Sequence, residues 1–99
     1  MDDSSVVERG RNLIKDLKSH VIDTFSKDPR GRLQGEGLGN SEIEKLAGLE
    51  IPLDRPPSKK QEHWLTWTIV QRLVADGFVE PVFTKKTKYR LTGMSDHHT

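Results

Sequence analysis

The chain has 99 residues, of which 32% are hydrophobic and 31% charged, with a formal net charge of +1 and no cysteine. That length suits one small core, and the missing cysteines exclude disulfides, thiolate metal sites and cysteine nucleophiles. No apolar run approaches the roughly 20 residues that cross a bilayer, and residues 1–10 lack the basic-then-apolar order of a signal peptide, so a cytoplasmic protein with no membrane partner is expected.

Three serines stand three residues before Glu or Gln: Ser5 with Glu8, Ser41 with Glu44, and Ser58 with Gln61. Each pair has the form of a capping box, and each opens a stretch with helical periodicity. The first helix is expected over 5–27, where Val6, Leu13, Leu17, Val21 and Phe25 recur at steps of seven or four beside Ile14 and Ile22. Gly10 lies on that face and leaves room for a close neighbour. Asp28-Pro29 ends the helix, because proline disfavours the α conformation in the residue before it. Residues 30–40 hold four glycines and read as a turn-rich connection with room for a short strand near Leu33.

A brief second helix is expected over 41–47, with Ile43, Leu46 and Ala47 inward and Gly48 as its C-cap. Residues 50–57 contain three prolines and form a linker, through which Leu49, Ile51 and Leu53 alternate and fold back on the core. The third helix is expected over 59–76, with Leu65, Ile69 and Leu73 inward, Thr66, Val70 and Val74 flanking them, and Gly77 at its end. The period then changes to two, and 78–91 reads as a β-hairpin with Val79, Tyr89 and Leu91 on its inner face and Thr84-Lys85-Lys86 at its turn. Pro81 marks the first strand as an edge or a bulge. An isolated hairpin is marginal in water, so this one must lie on the helices. The fold class is α+β, one domain over 1–92 with a disordered tail at 93–99.

The order of helix, connection, helix, helix and hairpin resembles winged helix-turn-helix domains. The likeness covers residues 33–92. It rests on Asn40-Ser41-Glu42-Ile43-Glu44-Lys45-Leu46-Ala47-Gly48-Leu49, on Ile69-Val70-Gln71-Arg72-Leu73 leading into Gly77-Phe78-Val79-Glu80, and on the close Tyr89-Arg90-Leu91-Thr92. It implies a winged helix whose third helix enters the major groove of duplex nucleic acid, DNA before RNA, with the hairpin as wing. The segment 48–58 is longer than the turn of about three or four residues usual in a helix-turn-helix.

On that resemblance, Gln61, His63, Trp64, Trp67, Thr68 and Gln71 are the candidates for base readout. Lys59 and Lys60 at the start of the helix, Lys85, Lys86, Lys88 and Arg90 on the wing, and Arg30 and Arg32 among the glycines are the candidates for phosphate contact. Each has a plainer reading. The polar side chains can be a solvated helix face, the wing lysines can protect a sheet edge from pairing, and Trp64 and Trp67 are expected to pack on the apolar linker 49–53. The charge distribution favours a polyanion on one side: residues 1–54 carry 8 Lys/Arg and 11 Asp/Glu, whereas 55–90 carry 8 and 3.

Catalysis has no evident seat, and no enzyme, cofactor, metal or small-molecule substrate is expected. His20, His63, His97 and His98 show no ligand spacing, Asp16-Leu17-Lys18 lacks the strands of a nuclease site, and Gly-rich phosphate loops and serine nucleophile motifs are missing. Two functions compete: a duplex-DNA-binding regulator or accessory DNA-processing factor, and a winged-helix module for protein interaction. The first helix is long enough to pair with its copy, so a homodimer is expected.

Overall fold

A computed structural model of the chain describes residues 3–50 and 64–94. The fold is α+β: α1 (Asp3–Lys27), α2 (Asn40–Ala47) and α3 (Trp64–Ala75) are followed by an antiparallel hairpin of β1 (Val79–Phe83) and β2 (Thr87–Leu91). The linker positions Ile51, Leu53 and Ser58, the start of the third helix and the residues after Met94 lie outside the described residues.

The core forms where apolar sectors of all these elements meet. Val21, Ile22 and Phe25 of α1, Ile43 of α2, Ile69, Val70 and Leu73 of α3, and Val79, Tyr89 and Leu91 of the hairpin are buried together with Leu38. Val79, Tyr89 and Leu91 are the inner face read from the two-residue period.

Several inward assignments shift. The apolar stripe of α1 is buried only from Leu17 onward; Val6, Leu13 and Ile14 are 55%, 61% and 54% exposed, because no described element packs beside the first half of the helix. In α3 the inner sector is Thr66, Ile69, Val70 and Leu73, so Leu65 turns outward and Thr66 takes its place. In α2, Leu46 is exposed and Glu44 is buried, where its carboxylate lies 3.5 Å from the Thr66 hydroxyl across the α2–α3 contact.

Helix ends follow local chemistry. α2 starts one residue before Ser41, and its box is closed by a different glutamate: Glu42 Oε1 accepts the Gly39 N–H at 3.1 Å. Gly48 adopts φ 70° and donates its N–H back to the last turn, a left-handed cap that glycine takes without steric penalty. The His20 Nε2–H donates to the Ala47 carbonyl at 2.7 Å, joining α1 to the end of α2. A single 3-10 turn, Pro29–Gly31, follows Asp28, whose side chain accepts the Arg30 N–H. Lys18 of α1 pairs at 2.7 Å with Asp76, just past α3. That ammonium holds the Asp76 carboxyl below its ordinary range, chiefly through its hydrogen bond.

The short strand expected near Leu33 is displaced. Leu33 is exposed, and the pairing falls instead at Leu38, whose N–H and C=O exchange hydrogen bonds with Tyr89 at 2.7 and 2.9 Å. Strand β2 therefore has a neighbour on both sides, in the order Leu38, β2, β1. Tyr89 spends both backbone groups on Leu38, so its registered partner Pro81 directs its missing donor toward the outer edge, where no ladder bond is lost. Gly37, at φ 100°, passes so close to β2 that a Cβ there would lie 2.7 Å from the Lys88 Cβ.

Candidate nucleic-acid interface

The hairpin register sets the positions of its cations. Thr84, Lys85 and Lys86 form the turn, and the Thr84 hydroxyl donates to the Lys86 carbonyl at 2.6 Å, fixing a compact tip. Lys85 and Lys86 are exposed, and no acidic partner faces them among the described residues. Lys88, next outward on β2, is half-buried along its stem against Gly37, an arrangement that leaves the ammonium group at the surface.

Beside this tip lies the start of α2. The first-turn N–H groups of Asn40, Ser41 and Glu42 have no intrahelical acceptor, and the Asn40 Oδ1 has no partner. A groove of about 260 Å³ separates Gly39, Asn40, Ser41 and Glu42 from Lys86, Thr87 and Lys88, and the Glu42 carboxylate in its wall is engaged by the Gly39 N–H and by Arg30. Sequence reasoning missed this juxtaposition. It set the cap at Ser41 and had no means of knowing that Leu38 pairs with Tyr89, the contact that draws the α2 N-terminus to the hairpin.

The arginines are engaged elsewhere. Arg90 donates to Glu80 at 2.7 Å and to the Gly35 carbonyl at 3.0 Å. Arg30 forms ion pairs with Asp28 and Glu42; the Asp28 side chain raises its pKa above the ordinary arginine value, and Arg30 in turn lowers that of Asp28. Arg32 donates its Nε–H to the Ser26 carbonyl at 2.7 Å. All three shape the connection 28–39 and its contact with β2, and their donors are spent within the fold.

On α3, Trp64 and Trp67 are 58% and 54% exposed; the linker on which their packing was expected lies, from Ile51 on, outside the described residues. Thr68 is exposed beside them, while Gln71 is half-buried and donates from Nε2 to the Tyr89 hydroxyl at 2.9 Å. Gln71 thus fastens α3 to the hairpin, and its amide is committed there. Lys59, Lys60, Gln61 and His63 lie outside the described residues. Arg72 is exposed and lies 3.5 Å from Asp76, so the described part of α3 presents aromatic and polar surface with little charge of its own.

Among the described residues no helix is long and apolar enough to cross a membrane, and no three His, Asp or Glu side chains converge as a metal site. Lys18 of the Asp16-Leu17-Lys18 triplet is held by Asp76. Comparison with protein families, curated proteins and solved structures finds no match.

Proposed function

We propose that the chain is a winged-helix domain that binds duplex DNA, acting as a small regulator or as an accessory factor of a DNA-processing system. The supporting topology is α1, the Leu38 pairing segment, α2, α3 and a hairpin whose second strand lies between its first strand and Leu38. The observation that carries the functional reading is the exposed lysine tip of the hairpin: Lys86, next to Lys85, lines a groove across from the α2 N-terminus, and neither lysine has an acidic partner among the described residues. Lysines and free backbone N–H groups converge there on a space suited to a phosphate oxygen. Trp67 and Thr68 on α3 supply surface for a sugar or base edge, and the lysines supply affinity without sequence choice.

The test is binding of a labelled random duplex to the whole chain over a range of salt concentrations. Affinity should fall as salt rises. Changing both tip lysines, Lys85→Gln with Lys86→Gln, should reduce the slope of log affinity against log salt by about 2, since each neutralised phosphate contributes about 0.9. Binding that ignores salt, or a double variant with an unchanged slope, refutes the reading. Double-stranded RNA in the same titration separates the two duplex types.

A protein-interaction module is the second reading, favoured by the exposure of Trp64, Leu65 and Trp67 along one stretch of α3. It predicts no duplex binding at low salt.

A further inference from the structure

The first half of α1 carries an apolar face that nothing in the described fold covers. Val6, Val7, Leu13 and Ile14 are each at least half exposed, and a side chain at Gly10 would meet no atom within 4 Å. Val6, Gly10, Leu13 and Leu17 are spaced four, three and four apart, which draws a line along one side of a helix. Val7 and Ile14 broaden the line on one flank. Arg9 and Asp16 border it on the other, and neither has an ion-pair partner among the described residues. Leu17, partly buried against the core, joins the line to the domain body.

We propose that this face is the dimer interface of the protein, in which the first halves of two α1 helices pair antiparallel. The pattern itself chooses the occupant and its direction. With the dyad between residues 11 and 12, Val6 of each copy lies against Leu17 of the other, and Gly10 lies against Leu13, the smallest side chain opposite a large one. In that register the flank bearing Arg9 and Asp16 meets the same flank of the second copy, and each Arg9 comes within one turn of the other copy's Asp16. Two equivalent Arg–Asp ion pairs result. A parallel pairing sets Gly10 against Gly10, leaving a gap, and turns Arg9 and Asp16 toward the apolar flank of their neighbour. The overlap runs over residues 3–20, about 27 Å at the α-helical rise, and keeps both domain bodies at opposite ends.

Sedimentation velocity on the full chain over a wide concentration range tests this. The wild-type chain should self-associate to a dimer, and Leu13→Glu should weaken the association at least tenfold. Its circular dichroism should stay unchanged at dilutions where both proteins are monomeric, because Leu13 has no role in the monomer core. Arg9→Glu and Asp16→Arg should each weaken dimerisation, and the double variant should recover it. The chain has no cysteine, so a mixture of Gly10→Cys and Leu13→Cys proteins should cross-link between variants in preference to Gly10→Cys with itself. A monomeric wild type, an unaffected Leu13→Glu variant, a double charge swap without recovery, or cross-linking of Gly10→Cys chiefly to itself overturns the proposal. None of these readouts involves nucleic acid, so their failure leaves the duplex-binding reading standing, and the converse also holds.

Discussion

Gly37 and Asp76 show how much a single position contributes. Gly37 has a backbone dihedral in the left-handed range and lies against β2 with no room for a methyl group. Gly37→Ala should therefore lower stability by about 1–3 kcal/mol, read as a shift in the urea midpoint. Asp76 accepts from Lys18 of α1, which lowers its pKa in the folded state. A depressed carboxyl stabilises the fold at pH values above its unfolded pKa, near 4, and this contribution is lost as pH falls through that range and below. Thermal melts of Asp76→Asn should show a loss of about 0.5–1 kcal/mol at pH 7, the scale of a solvent-accessible ion pair. The gap to wild type should close in strong acid; a gap that persists there would assign the loss to packing. The sequence marked Gly37 only as one of several turn glycines, and it could not show Lys18 reaching Asp76, since the two are distant in the chain.

At the scale of elements, period and punctuation carried most of the information. Asp28-Pro29, Gly48 and Gly77 bound helices as their chemistry requires, and the two-residue alternation of Val79, Tyr89 and Leu91 identified the buried side of the hairpin. What periodicity could not fix was the rotation of a helix about its axis when apolar residues surround much of it. In α3, Leu65 and Thr66 are adjacent, and hydrophobicity alone favours Leu65 as the inward residue. The structure turns Thr66 inward, where its hydroxyl lies 3.5 Å from the Glu44 carboxylate, a polar contact across two helices that a one-dimensional pattern cannot contain. Leu73→Ala should cost about 2–5 kcal/mol, the range for a buried leucine that leaves a cavity. Leu65→Ala should cost much less, and chemical denaturation of the two variants side by side checks the rotation. The strand expected at Leu33 failed for a related reason: a one-residue bridge has no period to detect, and Leu38 is distinguished from Leu33 only by its long-range partner.

Over the whole molecule, the charge asymmetry seen in the sequence resolves into two different uses of cations. Arg30, Arg32 and Arg90 hold the connection 28–39 in shape through carboxylates and backbone carbonyls. Lys85 and Lys86, at the hairpin tip, have no acidic partner among the described residues. Composition counts both groups alike, whereas their roles differ with their neighbours. The fixed guanidinium fork suits internal bonding to planar acceptors, and the mobile ammonium suits a diffuse polyanion. The candidate interface was legible in the sequence at the hairpin, where turn chemistry places the lysines. It was not legible at α2, whose approach depends on the Leu38–Tyr89 contact.

That contact also bears on how the chain is made. The strand with a neighbour on both sides, β2, follows both of them in the chain, so each must wait for it during synthesis. A nascent chain that ends at Lys86 has made α1, α2 and α3 and still leaves Leu38 and Val79 without their backbone partners. The domain should therefore lack any stable half, and its folding during synthesis should begin in earnest only once β2 has emerged.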